Sequence, residues 1–334
     1  MGWEFLFAFC AAYVMIRTVR TFAPGLGLVD IPNDRSVHVH HIPRGAGIGF
    51  CLAAVSAVFL FHFDLILAYK WTFLAIFCVF AVGVLDDHRD TVPRTKFLVI
   101  LFSTVLIALD GIVINDLGIV FGVPITLGWF ALPFTLFAVT GFTNALNLID
   151  GLDGLAATVS IVILGSFMWI GYLHADVLMM AVAGAFIAAL AAFLVFNWHP
   201  ATIFMGDSGS LTLGFVISVL AIKSLAYIPT VSVLFIAALP ILDTLVVMIR
   251  RKLNGRSIFS ADKCHIHHVL KRFFEKNIRK TVFCLGAFQL IYSVLGLQID
   301  KGADEGFLLI LFLLNVIFVY FLLGRIAKKQ QCNC

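Results

Sequence analysis

The residues able to do chemistry fall in five short stretches. The central one reads Asn144-Ala-Leu-Asn147-Leu-Ile-Asp150-Gly-Leu-Asp153-Gly154, between two long apolar runs. Asp150 and Asp153 stand where a hydrophobic segment ends, and a carboxylate at that depth needs a polar cavity, a cation or a partner. Two more acidic motifs are Asp86-Asp87-His88-Arg89-Asp90 and Phe204-Met205-Gly206-Asp207-Ser208-Gly209-Ser210. Clustered carboxylates suit a hard cation such as Mg²⁺ that bridges to phosphate oxygens, or a general base. The expected chemistry is Mg²⁺-dependent phosphoryl transfer at a membrane surface, with these motifs and His265-Ile266-His267-His268 in one site.

Each stretch also has a plainer reading. Asp86 and Asp90, four apart, share a helix face, with Asp87 turned about 100° away; alternatively they form a solvated helix end beside Arg89 and Arg94. Lys96 reads as an ammonium that holds a phosphate, or as a membrane-surface anchor. Asn144, Asn147 and Asp150 recur every three residues on one broad helix face. A polar helix–helix contact would use the same residues, but carboxylates without a cation are poor glue. Asp207 and Ser208 begin a helix, a place that favours anions, or they are its N-cap. His265, His267 and His268 have Cys264 as the single nearby thiol, too few ligands for a structural zinc site. Phosphate contact or proton handling fits better beside Arg256 and Lys263. The loop from Asp30 to Gly45, with Arg35, Ser36 and His38, is a basic membrane-surface loop or a place to capture a lipid phosphate.

The elements that must position these residues are membrane helices. The 334 residues are 61% hydrophobic and 13% charged, with mean hydropathy +1.04, where a soluble domain would have about 25% charged residues. At about 20 residues per span, eleven candidates appear: 3–22, 46–62, 68–85, 96–114, 128–148, 155–173, 177–196, 209–226, 229–249, 282–298 and 307–324. The count is ten without the fourth, which Asp110 and Asn115 interrupt. Segment 111–128 reads as an outside loop or a short hairpin. With the N-terminus outside, 20 of the 23 Lys and Arg fall inside, as positive-inside orientation requires. The fold class is thus an all-α polytopic bundle, N-terminus out and C-terminus cytoplasmic.

It reads as a single integral-membrane domain, residues 1–334, with inner loops at 23–45, 86–95, 149–154, 197–208 and 250–281. No loop is long enough to bury a soluble core. No signal-peptide pattern opens the chain, and no disulfide framework is expected of its seven cysteines. Cys332-x-Cys334 reads as a tail. The net charge of +4 is small, and the expected partner is the lipid bilayer, with no nucleic acid.

Together the motifs resemble the polyprenyl-phosphate N-acetylhexosamine-1-phosphate transferase superfamily, glycosyltransferase family 4. They run in order over nearly the whole chain: Pro-Asn-x-Arg-Ser-x-His, Asp-Asp, Asn-x-x-Asn-x-x-Asp-Gly-x-Asp-Gly, Phe-Met-Gly-Asp-Ser-Gly-Ser and His-Ile-His-His. The resemblance implies that undecaprenyl phosphate attacks the β-phosphorus of a UDP-N-acetylhexosamine and releases UMP, with Mg²⁺, or Mn²⁺ in its place. It implies Asp207 as metal ligand, with Asp150 beside it. Asp86, Asp87, Asp150, Asp153 and Lys96 become catalytic residues. Asn147, Arg256, His265, His267 and His268 become donor contacts, and Arg35, Ser36 and His38 lipid-phosphate contacts. It also implies a homodimer and a bacterial inner-membrane location with the site on the cytoplasmic face. The His-Ile-His-His loop looks WecA-like, which points to GlcNAc, with UDP-FucNAc or UDP-QuiNAc as other donors; MraY, with its muramoyl-pentapeptide donor, would carry His-His-His.

Two other classes compete. CDP-alcohol phosphotransferases are also Asp-rich membrane enzymes, but their motif needs Ala-Arg, and Ala156-Ala157 is not followed by Arg. A transporter would place charges near the midplane on broken, repeated helices; here the carboxylates sit at the inner ends and there is no repeat.

Overall fold

In lipid every backbone N–H and C=O must find a partner inside the protein, so the long apolar runs become helices. The computed structural model describes residues 2–30, 41–89, 91–257 and 265–329. Arg35, Ser36, His38, Asp90, Lys263, Cys264 and the Cys332/Cys334 tail lie outside the described residues. The chain forms two compact units, residues 1–115 with 127–227, and 116–126 with 228–334.

The first unit holds α1 (Gly2–Phe22), a ribbon of β1 (Val29–Asp30) and β2 (Ile42–Pro43), α2 (Ala46–Phe61), α3 (Phe63–Ala68), α4 (Lys70–Arg89) and α5 (Pro93–Leu109). It continues, within the same unit, with α6 (Ala131–Ile149), α7 (Leu155–Leu173), α8 (Val177–Asn197) and α9 (Asp207–Ser224). Helix α9 is its axis: every residue from Ser208 to Ile222 is buried, against α2, α4, α6, α7 and α8. Small residues permit that packing. A β-carbon at Gly47 of α2 would lie 2.1 Å from the Gly209 nitrogen, and one at Gly83 of α4 2.6 Å from the Asp207 carbonyl oxygen. The segment before α9 is pinned by backbone bonds: Phe204 N–H donates to Pro43, and Ala46 and Gly47 donate to Phe204 and Met205.

The second unit holds an antiparallel hairpin, β3 (Asp116–Val120) and β4 (Val123–Thr126), then α10 (Thr230–Ile236), α11 (Ala238–Leu253), α12 (Ile266–Phe273), α13 (Ile278–Leu297) and α14 (Glu305–Lys329). Helices α10 and α11 meet at an 87° bend. A break in an apolar helix frees backbone groups that need new partners. Gln289 of α13 supplies them, accepting from Leu239 N–H at 2.9 Å and donating to the Ile236 carbonyl at 2.6 Å. Asp304 accepts from Phe121 and Gly122 N–H and so closes the hairpin turn.

Among the described residues, seven helices are long and apolar enough to cross a membrane, or eight if the bent α10–α11 pair is one span. The expected eleven differ at three further segments. Helices α2 and α5 have 16 and 17 residues, short of the roughly 20 a bilayer core demands. Helix α9 has 18, and Asp207 and Lys223 dilute its ends. Segment 111–128 resolves as the hairpin, and with the β1–β2 ribbon it is the small strand content of an otherwise all-α fold.

Candidate active site

In the first unit, helix packing brings three separate motifs to the start of α9. Asp86 and Asp87 close α4, Lys96 opens α5, Asn147 lies in the last turn of α6, and Asp207 is the first residue of α9. Lys96 Nζ donates to Asp207 Oδ2 at 2.7 Å and to Asp86 Oδ2 at 3.1 Å. Asn147 Nδ2 donates to Asp207 Oδ1 at 3.0 Å and to Ser210 Oγ at 2.8 Å. Asp207 thus sits between one ammonium and one amide.

The paired aspartates have different surroundings. Asp86 accepts from Thr91 N–H at 2.8 Å and Thr91 Oγ1 at 2.5 Å as well as from Lys96. Asp87, 2% exposed, accepts from the backbone N–H groups of Asp207 and Ser208 at 2.7 and 3.0 Å. Those are two of the four N–H groups that open a helix without internal partners, so Asp87 caps α9 from another helix. Gly206 makes room: its φ is +75°, and a β-carbon there would lie 2.5 Å from Asp87 Oδ1. Both oxygens of Asp87 are committed to backbone.

Asp153 is also tied down, by His199 Nδ1 at 2.6 Å and Ala201 N–H at 3.1 Å. It fastens the 149–154 turn to the 197–203 loop, as does Asn197, which accepts from Gly154 N–H and donates to the Ile203 carbonyl. Asp150 differs. It follows α6, is half-buried, and among the described residues no donor reaches its carboxylate. Burial, then the negative charges of Asp207, Asp87 and Asp153, pushes its carboxyl up to about 7.

The family resemblance implies Mg²⁺, and the ligand chemistry fits it: hard carboxylate oxygens, with Asp150 lacking a hydrogen-bond donor among the described residues and set among the charges of Asp207, Asp87 and Asp153. Among the described residues no three His, Cys, Asp or Glu side chains form a ready-made metal cage. Mg²⁺ typically takes one or two carboxylates with substrate phosphates and waters. Asp207 and Asp150 are the residues that would hold it.

The histidine motif lies in the second unit, where His265 precedes α12. His265 Nδ1 is 2.7 Å from Asp243 Oδ2, and Ile266 N–H donates to Asp243 Oδ1 at 2.6 Å. Burial lowers His267 to about 3 and His268 to about 4, so both rings are neutral near pH 7. Arg256 is exposed just beyond α11. The sequence reading missed Asp243, Thr91, Asn197 and His199. Asp243 carried a usable signal, a lone carboxylate within the apolar segment 229–249; the others are ordinary loop or helix-end residues.

Residues 69–225 match the glycosyl transferase family 4 profile, a span that includes the whole carboxylate cluster. A probable undecaprenyl-phosphate N-acetylglucosaminyl 1-phosphate transferase of Bacillus subtilis is 33% identical over 94% of this chain and 89% of its own. The chain belongs to glycosyl transferase family 4. Two other relatives carry the name undecaprenyl-phosphate alpha-N-acetylglucosaminyl 1-phosphate transferase. That of Yersinia pestis is 32% identical over 97% of this chain and 92% of its own. That of Escherichia coli K12 is 30% identical over 93% and 86%. This family 4 member is thus a multi-pass membrane transferase similar to bacterial enzymes over almost its whole length.

Proposed function

We propose that this chain transfers N-acetylhexosamine-1-phosphate, with GlcNAc as the sugar, from a UDP-sugar to undecaprenyl phosphate and releases UMP, the first step of a lipid-linked surface polysaccharide. An oxygen of the lipid phosphate attacks the β-phosphorus, the bond from that phosphorus to the α–β bridging oxygen breaks, and UMP leaves with its electrons. The observation that carries this reading is the Lys96–Asp207–Asn147 set at the start of α9, in a family whose relatives bear that name.

Lys96 holds phosphate charge, and Asn147 orients Asp207. With both oxygens of Asp87 committed to the backbone, Asp86 is the member of the acidic pair left to handle a proton. Asp207 and Asp150 would hold Mg²⁺, which when bound offsets charge on the diphosphate as it transfers. His265, His267 and His268 contact the donor, and Arg35, Ser36 and His38 the lipid phosphate. The Lys and Arg distribution supports N-terminus out, C-terminus in, and a site on the cytoplasmic face.

The test is UMP release by purified protein given undecaprenyl phosphate, Mg²⁺ and, separately, UDP-GlcNAc, UDP-GalNAc and UDP-MurNAc-pentapeptide. UMP and a lipid-linked product from UDP-GlcNAc alone are expected. Release from another donor alone would replace the sugar, and folded protein releasing none would overturn the reading.

A further inference from the structure

Asp243 is 1% exposed within α11, and nothing in the proposed reaction uses it. Its oxygens are divided between two partners. Oδ2 lies 2.7 Å from His265 Nδ1, and Oδ1 accepts from Ile266 N–H at 2.6 Å. An ionised carboxylate only accepts hydrogen bonds, so Nδ1 carries a ring proton. That proton settles the role of the other nitrogen: in the neutral ring Nε2 is an acceptor. His265 is itself 6% exposed and stacks at 5.6 Å on His267, which is 3% exposed. Helix α12 therefore starts with its first N–H and its leading imidazole both fixed by one carboxylate from another helix.

We propose that Asp243 is a positioning residue that sets the tautomer of His265, so that Nε2 accepts a hydrogen bond from a hydroxyl or N–H of the nucleotide sugar's hexosamine. The assignment of sugar contact rests on the proposed function; the tautomer does not.

Asp243→Asn separates positioning from mere structure. Ile266 N–H needs an acceptor, so the asparagine oxygen faces it and the amide NH₂ faces His265 Nδ1. The ring must then move its proton to Nε2, with the backbone bond kept. Nitrogen-15 NMR of histidine-labelled protein, with the His265 signal identified by its loss in His265→Ala, should show Nδ1–H in the parent and Nε2–H in the variant. Kinetically, KM for the UDP-sugar should rise about tenfold, the worth of one lost hydrogen bond. The inhibition constant of UDP, which lacks the sugar, and KM for undecaprenyl phosphate should change less than about twofold. Asp243→Glu should restore much of the parent KM, and Asp243→Asn should add nothing in a His265→Ala background.

An Nε2–H ring in the parent, or an unchanged ring signal in the variant, would overturn the proposal even for a protein with no transferase activity. An equal rise in the UDP constant, or a further loss on top of His265→Ala, would overturn the sugar contact. If Asp243→Asn does not fold, the parent spectrum and Asp243→Glu still decide.

Discussion

The two polar clusters of this protein solve opposite problems. In the second unit one aspartate lies beside a group of three histidines, and both its oxygens are taken, by His265 and Ile266. In the first unit five carboxylates, Asp86, Asp87, Asp150, Asp153 and Asp207, lie in the joined motifs, one lysine reaches two of them, and the partners are unevenly shared. Asp87 has both oxygens on backbone donors, and one oxygen of Asp153 takes a histidine and a backbone donor. Asp86 and Asp207 share Lys96. Asp150 is left among like charges. The aspartate of the histidine cluster is fully partnered while the ring nitrogen Nε2 of His267 is buried without a partner among the described residues; the carboxylate cluster has excess negative charge that a cation would balance. The motif letters alone treat all these acids alike; the difference lies in who donates to each.

The largest test of that contrast removes the shared acid. Asp207→Asn should lower UMP release by about 10²–10³ at unchanged protein yield, because it removes a carboxylate that would hold Mg²⁺ and that pairs with Lys96. Near-parental turnover would take Asp207 out of the reaction.

Next comes the cap. Asp87→Ala leaves two buried N–H groups at the start of α9 without an acceptor, a cost of roughly 2–4 kcal/mol. Its melting temperature in detergent should fall by several degrees, together with activity. Gly206→Ala should do the same, since its β-carbon would strike Asp87. An Asp87 variant that is inactive but as stable as the parent would make Asp87 a chemical group instead of a cap.

Asp150 offers a smaller effect with a definite sign. Its carboxyl lies at about 7 in the folded chain against 3.8 for the ordinary group. Between those values the folded chain binds more protons than the unfolded one, so stability falls as pH rises through this window. Asp150→Asn should therefore match the parent near pH 4 and exceed its stability near pH 8 by roughly 1 kcal/mol, allowing for solvent screening. Divalent-free thermal melts at both pH values would show it, and Mg²⁺ should close the gap by stabilising the parent near pH 8. A gap independent of pH would mean that Asp150 is not the unbalanced charge.

The smallest effect should come from Asp153→Asn, whose amide oxygen can still accept from Ala201 N–H. A loss of about 1 kcal/mol, with turnover within about threefold of the parent, is expected because the hydrogen bonds to His199 and Ala201 lose the carboxylate's charge. A loss of activity as deep as that of Asp207→Asn would place Asp153 in the chemistry and break the division between partnered and unbalanced acids.

The sequence by itself determined the membrane class, the helical architecture and the identity of the cluster. Long apolar runs can only be helices in lipid, and carboxylates at their ends need a common reason to be there. Asp86, Lys96, Asn147 and Asp207 were legible in this way and do converge. Hydropathy gave eleven candidate spans, whereas seven or eight described helices are long and apolar enough to cross a membrane, because helices such as α2 end earlier than their apolar runs. What the tertiary structure decided is the division of labour. Asp86 and Asp87 are adjacent letters, but one faces Thr91 and Lys96 and the other faces the start of a helix 120 residues further on. Asp243 was invisible as a partner of His265 because 22 residues and the end of α11 separate them. A carboxylate's role depends on which donors reach it, and those donors are set by packing between segments distant in sequence, which no local pattern encodes.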